Sequence, residues 1–417
     1  MNCELTHLSN LCKVITKGTT PTTIGFDFSE KGIGFLRAQN INDGKVDYNR
    51  NTLFIDEQTH KALSRSQILP GDILLSIAGT IGRAGIVPDN SPELNCNQAV
   101  AIVRTNGKVF RPFLRHWLES LDAQKQMRGA MVTGTISNLS LTQVGNLQIP
   151  LPPMEEQQQI ADILDRAEAL RAKRKTALAQ LDEITQSIFI EMFGDPVKNP
   201  KNWNLIKVQD VMSQIEAGWS ANGEYRPREE NEYAVLKVSA VTQGVFLPEE
   251  CKVINNDIEF KKVVTPEKGD VLFSRANTLE LVGASCLIRE NYPYLLLPDK
   301  LWKIRVNEEK ICPEYFKFVL SYPTVRHEIS KLSTGTSGSM YNISMEKFRQ
   351  IDITVPPIEI QKKFSIIIGK IDKIRKSHQQ SLLELNNLFD SLSHAAFTGK
   401  LFSHQFFEQE IENGVKI

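Results

Sequence analysis

Two carboxylates and a lysine in the second half of the chain stand at a spacing that could hold Mg²⁺ for phosphodiester hydrolysis. Asp299 follows Pro298, and Glu308 and Lys310 come nine and eleven residues after Asp299, which fits a loose P-D followed by E-x-K pattern. Carboxylate oxygens are ligands that Mg²⁺ prefers, and the metal would activate the attacking water. The first half has no equivalent pattern, and such residues are common in surface turns. A nuclease is therefore an alternative interpretation.

Other catalytic motifs are absent from the sequence. It has no Asn-Pro-Pro-Tyr or Asp-Pro-Pro-Tyr run of the kind that an adenine methyltransferase uses, no glycine-rich cofactor loop and no G-x-x-x-x-G-K-[ST] phosphate loop. The six cysteines are scattered, without a C-x-x-C pair or a histidine at zinc-ligand spacing, so no metal site is expected. The sequence predicts a non-catalytic protein with no cofactor of its own.

Length and composition indicate a folded protein of two or three domains. Of its 417 residues, 41% are hydrophobic and 24% are charged, as in ordinary globular domains. The start lacks the basic and apolar regions of a secretory signal, and no apolar run approaches the about 18 residues of a membrane span. A cytoplasmic location with reduced cysteines is expected. Lysine plus arginine (49) equal aspartate plus glutamate (49), so overall charge gives no sign of a nucleic-acid partner.

The chain contains an internal repeat of about half its length. Three markers recur in the same order: Gly-Asp-Ile-Leu at 71–74 and Gly-Asp-Val-Leu at 269–272, Thr-Gly-Thr at 133–135 and 334–336, and Pro-Pro-x-Glu-x-Gln at 152–157 and 356–361. Their offsets grow from 198 to 201 to 204 residues, as loop insertions would make them. Because these markers lie outside helices, a chance likeness of two helical segments does not explain them. Duplication into two similar domains does.

Each Pro-Pro pair is followed by a long segment that should form one helix. Residues 155–193 and 359–397 contain no proline and only one glycine, Gly369. Their apolar residues recur at alternating steps of three and four, which is the seam of a left-handed coiled coil. The prolines set the starts, and Gly194 and Gly399 set the ends. At 1.5 Å per residue each helix is about 58 Å long, beyond the usual length of a core helix.

The two helices are expected to pair with each other in antiparallel orientation. The first has five basic and eight acidic residues, net −3, and the second has six basic and four acidic residues, net +2. The first leads the chain away from one domain and the second returns from the other. The alternative is two ordinary core helices of separate domains.

The expected fold class is α+β, with two similar mixed α/β domains, two long helices in an antiparallel coiled coil and a pseudo-two-fold axis. The predicted boundaries are 1–150 for the first domain, 151–195 for the first spacer helix, 196–353 for the second domain, 354–400 for the second spacer helix and 401–417 for a C-terminal tail.

These features resemble the DNA-specificity (S) subunit of type I restriction-modification enzymes. The resemblance covers essentially the whole chain and lies in Gly18-Thr19-Thr20-Pro21, in the Gly-Asp runs of both halves and in the run 149–157 before a long helix, with its copy near Pro357. It implies two target-recognition domains, each reading half of a split, asymmetric site in double-stranded DNA. It also implies that two modification subunits dock on the chain and methylate adenine with S-adenosylmethionine. When motor-nuclease (restriction) subunits join, the resemblance implies that the complex cleaves unmodified DNA.

Candidate base readers follow from side-chain chemistry, since Arg, Lys, Asn and Gln can make paired contacts to base edges, with Ser and Thr as weaker readers. The candidates are Arg37, Gln39, Asn40, Arg83, Asn97 and Gln98 in the first domain and Lys237, Ser239, Arg275, Asn277 and Lys300 in the second. The threonines of the Thr-Gly-Thr runs, as phosphate-binding groups or merely turn residues, are Thr133, Thr135, Thr334 and Thr336. A structural role is the alternative for each of these residues.

Arg174 and His378 interrupt the apolar seam at matching positions, 204 residues apart and at the midpoint of each helix. Antiparallel pairing should bring them close, and a polar residue in a seam typically fixes register at a cost in stability. The alternative is that both side chains extend past the seam into solvent. A coiled-coil scaffold that binds no DNA is a third interpretation of the chain, but it leaves the two α/β domains unexplained.

Overall fold

A computed structural model of the chain describes residues 4–130, 138–254, 260–335 and 340–402. The chain forms two compact units, 1–176 together with 379–417, and 177–378. The division falls inside both long helices, so each unit contains one α/β domain and one half of each helix. The domain boundaries predicted above stay predictions.

The first unit begins with a domain of short strands and helices. Its strands are β1 (Leu5–His7), β2 (Cys12–Lys17), β3 (Ile33–Leu36), β4 (Ile41–Asn42), β5 (Lys45–Val46), β6 (Leu53–Ile55), β7 (Gln67–Ile68), β8 (Ile73–Ser76), β9 (Ala84–Ile86), β10 (Leu94–Cys96), β11 (Val100–Thr105) and β12 (Gln148–Pro150). Its helices are α1 (Glu57–Ala62), α2 (Arg111–Glu119), α3 (Leu121–Ala130), α4 (Leu141–Gly145) and the long α5 (Met154–Phe193), which continues into the second unit.

The second unit has the same kind of domain. Its strands are β13 (Asn204–Lys207), β14 (Met212–Ala217), β15 (Ala234–Leu236), β16 (Cys251–Val253), β17 (Val271–Ser274), β18 (Ala276–Asn277), β19 (Ser285–Leu287), β20 (Leu295–Leu296), β21 (Leu301–Val306), β22 (Thr334–Gly335), β23 (Tyr341–Asn342) and β24 (Asp352–Val355). Its helices are α6 (Val208–Val211), α7 (Ser239–Thr242), α8 (Pro313–Ser321), α9 (Pro323–Leu332), α10 (Met345–Arg349) and the long α11 (Ile358–Phe397), which continues into the first unit.

Sheet topology confirms the duplication. The order β2-β11-β8-β9 in the first domain is matched by β14-β21-β17-β19 in the second. The order β6-β3-β10 is matched by β16-β15-β20, with β3 and β10 parallel like β15 and β20. In each domain a small two-stranded sheet, β1-β12 or β13-β24, stands before the long helix.

The Gly-Asp marker is a buried turn that holds the central strands. Gly71 and Gly269 have φ of 79° and 93°, a left-handed conformation that glycine adopts without strain. The following Asp72 is buried and accepts hydrogen bonds from the Leu69 N–H at 2.7 Å and the Arg104 Nε at 2.8 Å. Asp270 is bound in the same way in the second domain, by Glu267 N–H and Arg305. The marker therefore has a structural role in both copies.

The long helices begin one residue before their predicted starts and end where predicted. In the first unit Ile160 and Leu164 of α5 share a core cluster with Ala396 and Phe397 at the end of α11. In the second unit Phe193, at the end of α5, lies 5.2 Å from Phe364 near the start of α11, measured between ring centroids. The start of each helix thus packs against the end of the other, which confirms the antiparallel coiled coil and rules out two separate core helices.

Candidate nucleic-acid interface

In the first domain, loops from two sheets meet at one edge. Strand β8 ends at Ser76 opposite Val100, where antiparallel β11 begins, and β2 ends beside the same point. The parallel strands β3 and β10 end at Leu36 and Cys96. The Val100 N–H of β11 donates to the carbonyl of Asn97, the residue after β10, at 3.2 Å, which ties the two sheets together here. We call the loops that follow these strands the loop edge, which in this domain comprises residues 18–24, 37–40, 77–83 and 97–99.

The second domain has an equivalent loop edge. Strand β17 ends at Ser274 opposite Leu301, where β21 begins, and β14 ends beside it. The Arg275 N–H donates to the Lys300 carbonyl at 3.0 Å. This loop edge comprises residues 218–222, 237–243, 275–283 and 298–300.

A glycine opens each loop edge because the backbone there leaves no room for a side chain. Gly18 N–H donates to Val100 O at 3.2 Å, and a Cβ at Gly18 would overlap the Cys96 carbonyl oxygen. At Gly218 a Cβ would overlap the Leu297 carbonyl oxygen. The Gly-Thr-Thr-Pro run of the first domain therefore has a counterpart that its sequence does not reveal, since Trp follows Gly218.

Two residues after each glycine, a hydroxyl binds the loop between the strands. The Thr20 hydroxyl donates to the Gln98 Oε1 in the first domain. In the second domain the Ser220 hydroxyl donates to the Asp299 carboxylate, which also binds the Arg275 guanidinium, 3.3 Å away. Equivalent positions of the two loop edges thus carry an amide in the first domain and an arginine–aspartate pair in the second. Sequence reasoning did not assign Thr20, Ser220 or Asp299 to this site.

All six predicted readers of the first domain lie in the loop edge, and the polar groups of Arg83 and Asn97 are partly engaged there. Arg83 donates to the Asn42 Oδ1 at 2.7 Å. Asn97 Oδ1 accepts from the Ala99 N–H at 3.2 Å, and Gln98 is exposed. Gln98 and Arg83 keep donors that a base edge could use.

Asn40 differs from its neighbours because its buried side chain makes all of its hydrogen bonds to backbone groups of its own loop. It is 2% exposed, accepts from the Arg37 N–H at 2.9 Å and donates to the carbonyls of Asp47 and Arg50 at 3.0 and 2.9 Å. Arg37 itself donates to a backbone carbonyl, that of residue 51, while Gln39 is exposed. Arg37, Gln39 and Asn40 all stay predicted readers, and Asn40 would have to break these hydrogen bonds to contact a base.

In the second domain, Lys237 and Ser239 bind one carboxylate. Lys237 Nζ lies 2.9 Å from Glu250, and the Ser239 hydroxyl donates to it. The Ser239 hydrogen bond, followed by that of Lys237, lowers the pKa of Glu250. Because this carboxylate stays ionised, it neutralises Lys237 at the loop edge.

The other predicted residues of the second domain are less constrained. Asn277 accepts from the N–H of the next residue at 2.9 Å, Lys300 is half-buried, and Thr334 is exposed on β22. Strand β22 pairs with β23, which pairs with β18 at the loop edge. The predicted Thr133, Thr135 and Thr336 lie outside the described residues.

The structure contradicts the Mg²⁺ pattern of the nuclease interpretation. Strand β21 separates Asp299 from Glu308, so the two carboxylates stand about 17 Å or more apart, far beyond a shared metal. Asp299 is bonded to Ser220 and Arg275, and Lys310 donates to a backbone carbonyl at 2.9 Å.

Polar pairs join the two long helices in each unit. In the first unit the Arg171 Nε donates to the Asn386 Oδ1 at 2.8 Å, and its guanidinium lies 4.4 Å from the centre of the Phe389 ring. In the second unit Arg375 pairs with Asp182. Arg375 follows Arg171 by 204 residues, and Asn386 follows Asp182 by the same number. The two pairs are therefore equivalent members of the repeat.

Arg174 and His378, the register residues predicted from sequence, belong to different compact units. Their pairing stays a prediction. The cross-helix pairs Arg171–Asn386 and Asp182–Arg375 were not predicted from the sequence, although the sequence contains the offset of 204 residues that relates them.

Two equivalent loop edges and two long antiparallel helices agree with a known family. The family model described as Type I restriction modification DNA specificity domain matches residues 2–182 and 200–387. The chain belongs to this family.

Relatives and solved structures agree over nearly the whole length. The chain is 25% identical over 397 residues to the type I restriction enzyme EcoKI specificity subunit of Escherichia coli K12, covering 88% of this chain and 82% of that protein. It is 20% identical over 409 residues to the MjaIX specificity subunit of Methanocaldococcus jannaschii, covering 93% and 91%. The solved S subunit from M. genitalium matches with a TM-score of 0.53 at 15% identity, covering 95% of this chain and 96% of that one, which shows the fold.

The chain is thus the DNA-sequence-recognition subunit of a type I restriction-modification enzyme, and it is not itself catalytic. Among the described ranges, no helix has the length and apolar character needed to cross a membrane.

In each unit of this specificity subunit, the glutamine of the Pro-Pro-x-Glu-x-Gln marker fastens the long helix to its domain. Gln157 is buried, accepts from the Phe110 N–H at 2.8 Å and donates to the Pro152 carbonyl at 2.8 Å. Gln361 repeats this arrangement and accepts from the Cys312 N–H at 2.8 Å. The marker therefore fixes the direction in which each helix leaves its domain.

Replacing Gln157 with Leu should destabilise the first unit by about 2–4 kcal/mol, because it removes two hydrogen bonds of a buried side chain and leaves the half-buried Phe110 N–H without this partner. Unfolding in denaturant measures this. The control is Gln158→Leu, one residue along and exposed, which should change the free energy of unfolding by less than about 0.5 kcal/mol. Equal effects of both substitutions would contradict the fastening role.

A partly buried ion-pair cluster also joins α2 to α5. Arg115 Nη2 lies 2.9 Å from Asp165 and 2.8 Å from Glu168, and His116 Nε2 lies 2.7 Å from Asp165. Ligand atoms of His116, Asp165 and Glu168 lie within 4.8 Å of one another, but Arg115 already supplies the positive charge that a metal would bring. In the second unit Asp372, the repeat equivalent of Glu168, pairs with a different arginine, Arg289.

His116 should make the first unit less stable as the pH falls from 7 to 5. Burial lowers the pKa of His116, and its hydrogen bond lowers the pKa of Asp165. The unfolded histidine, with a pKa of about 6.5, takes up its proton first, so stability is lost below that pH. His116→Gln keeps a donor for Asp165 without titrating, and denaturant unfolding should then vary less with pH. The exposed His327→Gln is the control, and an unchanged pH profile in His116→Gln would contradict the assignment.

Proposed function

We propose that this specificity subunit reads a bipartite, asymmetric DNA target, with one half-site at the loop edge of each domain. The observation that carries the proposal is that the two loop edges have equivalent backbones but different side chains at equivalent positions. Where the first domain places Gln98, the second places Asp299 with Arg275. Because amide, carboxylate and guanidinium groups prefer different base edges, two different half-sites and a target without palindromic symmetry are expected.

The long helices support a gap between the half-sites that is not read. Each has 40 residues, or about 60 Å at 1.5 Å per residue. At 3.4 Å per base pair this length corresponds to about 18 base pairs. We propose that α5 and α11 act as the spacer and that they also dock the partner subunits.

The partners in this proposal are double-stranded DNA, two modification subunits and, for cleavage, restriction subunits, all in the cytoplasm. The modification subunits bind S-adenosylmethionine and methylate adenine within the target. Lysine and arginine balance aspartate and glutamate in this chain, so the partners supply a large share of the phosphate contacts that nucleic-acid binding requires.

Mapping methylated adenines tests this function. A host that carries the modification subunits with this chain should methylate one bipartite, non-palindromic sequence, and the same host without the chain should not. Methylation that is independent of the chain, or that falls on a continuous or palindromic sequence, would contradict the proposal.

A further inference from the structure

Tyr225 is an aromatic side chain that folding leaves in solvent. It is 75% exposed, more than any other large apolar or aromatic side chain in the described ranges. An aromatic ring stabilises a fold mainly when it is buried. The stability of this fold therefore does not explain why Tyr225 is an aromatic residue.

Its position beside the loop edge of the second domain is fixed by backbone hydrogen bonds. Glu224, the preceding residue, exchanges two backbone hydrogen bonds with Val253, of 2.8 and 3.0 Å. Val253 belongs to β16, which pairs with β15. Strand β15 ends at Leu236, immediately before Lys237 at the loop edge. The ring therefore stands on the outer side of this sheet, next to the predicted readers.

Two lysines lie against the ring of Tyr225. Lys252 Nζ is 4.4 Å from the ring centre and Lys237 Nζ is 5.7 Å away, both within the range of a cation–π contact. Glu250 neutralises Lys237, whereas Lys252 has no carboxylate within ion-pair distance among the described residues. The patch thus combines an exposed ring with one uncompensated ammonium group.

The first domain carries opposite chemistry at the equivalent place. There the bridge is between Ser29 and Phe54, and Phe54 pairs with β3 as Val253 pairs with β15. The residue after the bridge is Glu30, exposed, and the counterpart of Lys252 is Leu53. A carboxylate repels DNA phosphates, whereas an ammonium group beside an aromatic ring attracts them.

We propose that Tyr225 contacts a base of the half-site read by the second domain, and that Lys252 holds the ring and binds a neighbouring phosphate. This inference rests on the proposed function and assigns a specificity-determining residue to it. The phenol offers an apolar face for a thymine methyl group and a hydroxyl for a base edge, and the lysine contributes charge without sequence information.

The test uses the full complex with its modification subunits, and it compares methylation of the cognate target with targets changed at single base pairs. Tyr225→Ala should reduce discrimination about 5- to 150-fold at a position within one half-site only, and Tyr225→Phe should keep the part due to the ring. Lys252→Ala should weaken binding on all sequences and reduce the slope of log affinity against log salt by about 1.

The control is Leu69→Ala, which truncates an exposed side chain beside the Gly-Asp turn, away from the loop edge, and should leave discrimination unchanged. Full discrimination in the Tyr225→Ala complex, or a uniform loss on every sequence, would overturn the inference. A wild-type complex without any sequence preference would instead overturn the proposed function.

Discussion

Replacing residues 1–150 with the corresponding domain of another family member should change one half of the methylated sequence and leave the other half and the gap unaltered. The physical reason is that the first domain has a core cluster and a loop edge of its own, and α5 is fastened to it by the hydrogen bond from the Phe110 N–H to Gln157. A complete change of specificity in one half-site is the expected result, measured by mapping methylated adenines.

The structure also indicates how to build this replacement. Asp165 and Glu168 lie beyond the exchanged segment but bind Arg115 and His116 within it. A donor domain without these two α2 residues would leave two carboxylates unpaired at a partly buried site, which is costly. The matched pair of chimaeras therefore differs only in whether α2 (Arg111–Glu119) of this chain is kept. If both half-sites change in the chimaera that keeps α2, the modular interpretation is wrong.

The repeat and the long helices could be predicted from sequence because their signals are local and periodic. Seam spacing, the flanking prolines and Gly194 place α5 to within one residue, and the recurring markers announce the second copy. The roles of these markers could not be predicted. Asp72 and Gln157 are buried hydrogen-bonding residues whose partners, Arg104 and the Phe110 N–H, come from strands and helices that only the tertiary fold brings near.

Candidate base readers were harder to choose, because a polar side chain has the same sequence signal whether it binds DNA or its own loop. Asn40 is bonded entirely within its loop, and Lys237 is neutralised by a glutamate thirteen residues away in sequence. Tyr225 was not considered, since one aromatic residue in a charged loop carries no periodic pattern. Two features of the structure single out Tyr225: its ring is exposed, and Lys252 on β16 lies against that ring.

Inserting one heptad into both long helices should lengthen the gap between the half-sites by about 3 base pairs. Seven residues add about 10 Å to a helix and preserve the seam, and 10 Å spans about 3 base pairs. The register places the two insertions. Because Asp182 faces Arg375, the residue pair two steps nearer the middle is Gln180 and Ser377. The insertions therefore belong after Gln180 and after Lys376.

An insertion after Gln180 alone is the informative comparison. It cannot keep both cross-helix pairs, because Arg171–Asn386 and Asp182–Arg375 lie on opposite sides of the inserted heptad. The single insertion should therefore lower the melting temperature and lose a defined gap, while the double insertion keeps both pairs and methylates a target with the longer gap. Methylation of the original gap by the double insertion would show that the helices do not set the spacing.

The register of the two helices could be set by the predicted seam residues Arg174 and His378 or by the cross-helix pairs of Arg171 and Arg375. The double variant Arg174→Leu with His378→Leu separates these two proposals. If Arg171 and Arg375 set the register, this double variant keeps its gap, and only variants of Arg171 and Arg375 lose it.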